Sequence, residues 1–552
     1  MNIRLFARLV LPLALLGSNP PAVAQPVPDA PKAPPRLIVV ISVDQFSADL
    51  FAEYRQHFTA GLKRLSEGAV FPSGYQSHAA TETCPGHSTI LTGNRPARTG
   101  IIANSYFNLD TTRADKQVYC AEDESIPGTD RDHYIVSPVH LLVPTMGDRM
   151  KAANPAARVV SVAGKDRAAV MMGGHHIDQV WWWSGTGFVS FSGVAETPLV
   201  AKVNAEAAAI LSVDRATMSV PAYCMPHDRA IPVGGFTVGT GRFARKASDG
   251  RAFRASPEFD AAVLTLATRL VDDMKLGGSG QTDIISIGLS ATDYIGHSYG
   301  TEGLEMCLQM GALDRAIGLF LDHLDAQGID YIVALTADHG GHDLPERNRD
   351  HAFPAAQRVD AALTPKAVDA VLRAQLKIDR RLIYADSAFG DFYITKDITK
   401  KQRAKALKQA MTIYRASPQV SAVFTRDELA AQPAPSGSVD SWSLAQKARA
   451  SFNPERSGDF IVLGQPWVTP IIDPKAGAYV ATHGSPWNYD RRVPILFWRK
   501  GMAPFEQPLA VETVDILPTL AAQIGLGVPR EEVDGRCLDL DAGSGDSCAG
   551  AR

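Results

Sequence analysis

Leu37-Ile38-Val39-Val40-Ile41-Ser42-Val43-Asp44 is an almost unbroken run of aliphatic, largely β-branched residues that ends on a carboxylate. A strand with one wet face alternates apolar and polar residues, whereas a continuous run marks a strand buried on both faces, as in parallel sheets covered by helices. The pattern returns at 158–163, 283–289, 331–335 and 493–498. Between these runs lie segments with helical apolar spacing, notably 259–274, 304–324 and 513–524. Alternation of this kind predicts an α/β fold, a doubly wound and mostly parallel sheet.

Ligands of open parallel sheets sit beyond the carboxyl ends of the strands. Those ends carry Asp44, then Gly164-Lys165-Asp166-Arg167, then Asp293 with His297 four residues on, then Asp338-His339-Gly340-Gly341. His483 begins the segment ahead of the last strand. Any one of these Asp residues could cap a turn or a helix. Gathered at one edge, carboxylates and imidazoles suit zinc, which takes oxygen and nitrogen ligands. The stretch Thr81 to Gly93, T-E-T-C-P-G-H-S-T-I-L-T-G, supplies a nucleophile. Pro85 is expected at the first helical position, which puts Thr83 just ahead of a helix N-terminus where an anion is favoured. A metal ion is the usual means of lowering the pKa of such a hydroxyl. A loop from Arg98 ends on the side-chain amide of Asn104.

The remaining chain divides around this core. Residues 105–157 and 177–255 lack clear periodicity and are read as loop insertions, with Trp181-Trp182-Trp183 as a packed β edge. The strand–helix rhythm spans 36–344, breaks over 345–480 and resumes over 481–552. The interrupting segment, with a helical stretch at 396–414 and Pro/Ser-rich turns near 432–438, is read as an inserted cap.

Arg4 and Arg8 precede the apolar run Leu9 to Leu16 and the small-residue site Ala22-Val23-Ala24, the layout of a secretory signal peptide over 1–24. Residues 25–35 form a Pro-rich leader. The apolar run is too short to span a bilayer, and no Cys precedes Cys84, so neither a membrane anchor nor a lipidated Cys is expected. The protein is expected in the periplasm or secreted. Six Cys in an exported chain suggest disulfides; their connectivity stays open, with Cys537–Cys548 the favoured local pair and Cys84 structural. A formal net charge of −4 gives no sign of a nucleic-acid partner.

Taken in order, Ser42-Val43-Asp44, Thr83-x-Pro-Gly-His87, Asp293-x-x-Gly-His297, Asp338-His339-Gly340 and His483-Gly484 resemble the alkaline phosphatase superfamily from Leu37 to Ile524. The Thr nucleophile and the Asn of Gly-Ile-Ile-x-Asn104 are similar to those of the nucleotide pyrophosphatase/phosphodiesterase branch. Lys165-x-Arg167 resembles the phosphate-irrepressible alkaline phosphatases of bacteria, which are monoesterases. The sulfatase branch is set aside, because Cys84 is one residue out of register and His87 stands where that branch has Arg.

The resemblance implies two zinc ions, one held by Asp293, His297 and His483, the other by Asp44, Asp338, His339 and the Thr83 oxygen. It implies that Thr83 attacks a phosphate monoester to give a phosphothreonine, while Asn104, Lys165 and Arg167 bind the non-bridging oxygens. His342 and Asp343 would be supporting partners of the site or an ordinary polar loop. A phosphodiesterase on the same scaffold is the alternative enzyme, and a non-catalytic envelope binding protein the alternative of another class.

Overall fold

Strand β1 (Leu37–Val43) lies at the middle of the computed structural model, which describes residues 33–351 and 353–549. The expected signal peptide at 1–24 falls outside the described residues, as does most of the leader. The central sheet has ten strands. After β1 they are β2 (Ala69–Tyr75), β3 (Val159–Ala163), β4 (Gln179–Trp183), β5 (Phe188–Val189) and β6 (Asp283–Leu289). β7 (Tyr331–Thr336), β8 (Arg492–Arg499), β9 (Phe505–Glu506) and β10 (Val511–Glu512) complete it. Their order is β9-β2-β8-β7-β1-β6-β3-β4-β5, with β10 also paired to β2. The stretch from β7 to β4 is parallel throughout. β8 runs antiparallel between β7 and β2, and β5 closes the other edge antiparallel to β4.

The unbroken apolar run of β1 follows from a sheet covered on both faces. Val39, Ile41 and Val43 pack with Phe259, Leu266, Leu304 and Ile317 of the helices Pro257–Asp273 and Leu304–Ala326. Ile38 and Val40 point the other way, toward Ile90, Met146, Ile516 and Leu520. All seven β1 residues are buried.

Besides the two-residue strands β5, β9 and β10, one long strand of this sheet, β2, is absent from the sequence expectation. Pro72 and Gly74 interrupt it, and Pro in a run argues against a central strand. The register against β8 slips between Val493 and Ile495, opposite Pro72, so the irregularity absorbs the missing donor. Trp181 to Trp183 sit one strand in from the edge, with β5 outside them. The expected helix at 513–524 is a 3-10 turn over Thr513–Asp515 leading into a helix over Ile516–Gln523.

Within 345–480 a separate four-stranded sheet forms from Ile383–Tyr384, Gly390–Ile394, Phe460–Gly464 and Val420–Thr425. The helices Pro365–Leu376 and Lys400–Arg415 cover it over an apolar centre that includes Phe392, Tyr414 and Phe460. A hairpin of Ser105–Phe107 with Gln117–Tyr119 packs Phe107 against Tyr393 of this sheet, ring centroids 5.8 Å apart. All six Cys are paired, as Cys84–Cys120, Cys224–Cys307 and Cys537–Cys548. Among the described residues no helix is long and apolar enough to cross a membrane.

Candidate active site

Six segments converge beyond the carboxyl ends of the parallel strands. Asp44 directly follows β1. Helix α1 (Thr83–Ile90) presents Thr83, and Lys165 caps helix α2 (Asp166–Gly173) after β3. Helix α3 (Ala291–Tyr299) follows β6 and carries Asp293 and His297 on one face. Asp338 and His339 follow β7, and His483 arrives ahead of β8.

Thr83 is the first residue of α1, with Glu82 as its N-cap, so Pro85 falls at the third helical position rather than the first. The whole first turn lacks intrahelical partners for its N–H groups, which is why Pro85 is tolerated one step further in. Gly86 answers a separate demand. A Cβ there would lie 1.9 Å from the carbonyl oxygen of Asp338, so only glycine lets α1 settle against the strand end.

The imidazoles share one design. Nδ1 of His297 donates to the Ala481 carbonyl, that of His339 to Gly340 and that of His483 to Thr81, each at 2.8 Å. Fixing the proton on Nδ1 leaves every Nε2 as a lone-pair donor. Nε2 of His297 and His483 lie 3.2 and 3.5 Å from Asp293 Oδ1. Nε2 of His339 lies 3.4 Å from Asp44 Oδ1 and 3.3 Å from Asp338 Oδ2. Two groups of donor atoms result, Asp44/Asp338/His339 and Asp293/His339/His483, each within 4.8 Å. His339 belongs to both, and the His339 and His483 rings stack at 3.6 Å. His297 adjoins Asp293 but stands outside the tight group.

This donor set fits divalent metal. Asp44 Oδ1, Asp338 Oδ2 and His339 Nε2 are fully buried and make no hydrogen bond among the described residues. Buried carboxylate oxygens in that condition are costly unless a cation meets them. Burial, reinforced by Asp293 and Asp338, pushes the Asp44 carboxyl well up. Burial works the same way on Asp293, yet His297 and Lys165 outweigh it and hold that carboxyl well below the usual range. His339, buried, is lowered to about 3, which keeps it a neutral ligand.

Lys165 Nζ lies 2.5 Å from both Asp44 Oδ2 and Asp293 Oδ2 and 3.4 Å from Thr83 Oγ1. Burial opposes its charge, but Asp293 and Asp44 prevail and keep it an ammonium. Arg167 Nη2 reaches Thr83 Oγ1 at 3.5 Å, while Tyr119 and Tyr134 hold the neighbouring Asp166. Asn104 Oδ1 accepts the Cys84 N–H at 2.8 Å, so its NH2 is the group left to donate. The nucleophile candidate thus has two cations and an amide around it.

Two supporting residues, Gln45 and Glu82, have no role in the sequence reading. Gln45, at φ 67°, donates its backbone N–H to Asp338 Oδ1 and its side-chain NH2 to Asp293 Oδ1, joining the two donor groups. A non-glycine residue in the left-handed region is strain held by its surroundings, and such strain gathers at functional sites. Glu82 accepts the Asn104 N–H at 2.6 Å and fixes that loop. His87, present in the sequence motif without a role, places Nδ1 3.1 Å from Asp338 Oδ2. His342 and Asp343 belong to the surrounding loops: His342 Nε2 meets Thr469 Oγ1, and Asp343 receives Thr301 N–H and Arg347.

The model of the family "Type I phosphodiesterase / nucleotide pyrophosphatase" matches residues 38–486. The chain is 62% identical over 520 residues to alkaline phosphatase PhoK of a Sphingomonas species, covering 94% of this chain and 93% of that one. It is 49% identical over 518 residues to alkaline phosphatase PhoD of Zymomonas mobilis subsp. mobilis, covering 93% and 89%. The crystal structure of wild-type alkaline phosphatase PafA superposes with a TM-score of 0.79 over 92% of this chain and 99% of that one, at 22% identity, and shares the fold. The chain belongs to the type I phosphodiesterase / nucleotide pyrophosphatase family of the alkaline phosphatase superfamily.

Proposed function

We propose that this protein is an alkaline phosphatase, hydrolysing phosphate monoesters through a phosphothreonine at Thr83. The observation that carries the reading is the Thr83 hydroxyl within reach of Lys165 and Arg167, beside two adjoining groups of carboxylate oxygens and imidazoles with the spacing to hold metal. Relatives at 62% and 49% identity that are themselves named alkaline phosphatases support it.

In this reading Asp293, His297 and His483 would hold one zinc and Asp44, Asp338, His339 and Thr83 the other. Bound there, zinc lowers the pKa of the attacking hydroxyl and of water and offsets charge on the departing oxygen. The chain's own groups do the rest. Thr83 Oγ1 forms the bond to phosphorus as the ester oxygen leaves, and water then cleaves the phosphothreonine to release phosphate and restore the hydroxyl. Lys165, Arg167 and the Asn104 amide neutralise and orient the non-bridging oxygens. Disulfides Cys84–Cys120 and Cys224–Cys307 agree with an oxidising compartment, the periplasm or the exterior.

The test is the rate on an aryl phosphate monoester against the matching aryl diester, with metal content measured on the same preparation. Strong preference for the monoester, lost on chelation and regained with zinc, is expected. Preference for the diester would move the protein to phosphodiesterase, and activity with less than about one zinc per chain would end the two-metal reading.

A further inference from the structure

Beside the reacting groups lies a cavity of about 280 Å³ whose walls include Arg251, Arg254, Tyr294, Ser298 and Tyr479. Two of these residues touch the site directly. The Tyr479 ring stacks on His297 with centroids 4.2 Å apart. Tyr294 follows Asp293 on α3, and Lys165 Nζ lies 5.1 Å from its ring centroid. The arginines close the far side, Arg254 with its guanidinium 5.1 Å from the Tyr294 ring and Arg251 with its own 5.6 Å from the Tyr479 ring.

The arginines nearby in the chain meet carboxylates. Arg245 and Arg215 both meet Glu258, and Arg269 meets Glu206. Among the described residues neither Arg251 nor Arg254 has an ion pair or a side-chain hydrogen bond, and Asp249 beside them caps the helix Gly250–Arg254 through Ala252 N–H. Each guanidinium is held by an aromatic face, which leaves its N–H fork for something else. Two such guanidinium groups lining one concave pocket, together with Tyr294, Tyr479 and Ser298, suit an anion.

We propose that this cavity is a leaving-group subsite, which takes a second anionic group, carboxylate or phosphate, carried on the alcohol part of the phosphate ester. The inference rests on the monoesterase reading and extends it to a substrate class. The pocket lies on the side of His297 and Asp293. An in-line displacement by Thr83 puts the departing oxygen opposite the attacking one. With that oxygen on the His297 and Asp293 side, what is attached to it passes along Tyr294 and Tyr479 toward the arginines. Neutral alcohols meet only the rings. Anionic ones gain two charge-assisted contacts.

Glycerol 3-phosphate, 3-phosphoglycerate and propane-1,3-diyl bisphosphate present a similar primary phosphoryl group with neutral, carboxylate and phosphate-bearing leaving groups. The wild type is expected to show the lower KM for the two anionic substrates. The Arg251→Ala/Arg254→Ala double variant should raise those KM values about tenfold or more, in line with the loss of charge-assisted bonds. Its kcat/KM for glycerol 3-phosphate should stay within about twofold of wild type. Arg254→Lys, which keeps charge without the fork, should retain part of the effect. A loss confined to one anionic substrate identifies which anion the pocket takes. Equal changes on all three substrates, or none, would overturn the subsite while leaving hydrolysis of glycerol 3-phosphate, and with it the monoesterase reading, intact. Failure of the wild type on all three would remove that reading and the subsite together.

Discussion

Replacing Lys165 or Arg167 by alanine should damage monoester hydrolysis far more than diester hydrolysis. A phosphoryl group joined to Thr83 Oγ1 has its free oxygens within reach of both cations, which stand 3.4 and 3.5 Å from that atom. Each lost charge-assisted bond costs about 1.5–3 kcal/mol, a factor of about 10 to 150 in rate. The monoester dianion adds one more negative charge than the diester presents. At about 4 Å and an effective dielectric constant of about 20, that charge is worth up to about 4 kcal/mol per cation before screening. The expected loss is therefore about two to three orders of magnitude in kcat/KM for an aryl monoester and about tenfold or less for the diester. Lys165 also neutralises Asp44 and Asp293, so zinc content must be measured on each variant to separate a lost phosphate contact from lost metal. Equal losses on both esters at full metal content would refute the argument that these cations select the dianion.

Thr83→Ala should abolish turnover by several orders of magnitude while Thr83→Ser retains part of it; acid-trapped phosphate mapped to any residue other than Thr83 would contradict the assignment. Gly86→Ala drives a methyl into the Asp338 carbonyl at 1.9 Å, so about 1–3 kcal/mol of stability should go, with metal affinity falling alongside, read by thermal unfolding and zinc titration. Asp260, buried under the N-terminus of α3 where it accepts Ala291 N–H and Gln309 Nε2, has its carboxyl pushed up to about 7 from 3.8 by burial. The folded protein then binds the extra proton, so this contribution is full below 3.8 and is lost as pH rises through about 7. Asp260→Asn should flatten the stability profile across that window, since Gln309 can turn its unpaired Oε1 toward the new amide. An unchanged denaturant profile from pH 4 to 7 would contradict the assignment.

How much of this was legible in the sequence depended on whether a residue's task leaves a pattern. β1 showed itself because burial on two faces demands an apolar residue at every position. β2 did not, because Pro72 and Gly74 are tolerated only through a register slip with β8, a feature of the partner strand rather than of β2. The metal-ligand candidates stood out as charged residues at the ends of apolar runs, where the fold brings them together. Gln45 and Glu82 were invisible, since each works by tying together residues distant in the chain and neither carries a charge pattern or motif for that task. The start of α1 was misplaced by two residues because Pro is accepted anywhere in a first turn. The arginine pocket had no signal at all, since what marks it is the absence of partners in space.

The place of β1 also governs how the chain can be made. Its neighbours β6 and β7 pair Leu37 with Asp283 and with Tyr331, so synthesis must run past Thr336 before the central strand has both partners. Before β6 emerges the nascent chain carries an apolar, β-prone segment with no partner on either side, and until β7 follows one edge stays open, the kind of stretch that nucleates aggregation. Asp44 and Thr83 emerge early and His483 late, so the proposed nucleophile waits for the last of its proposed site through most of translation. On the proposed mechanism a truncation product that ends before residue 483 lacks His483 and should be inert, and a holdase that grips Leu37–Val43 would protect the yield of full-length protein without touching a proposed catalytic group.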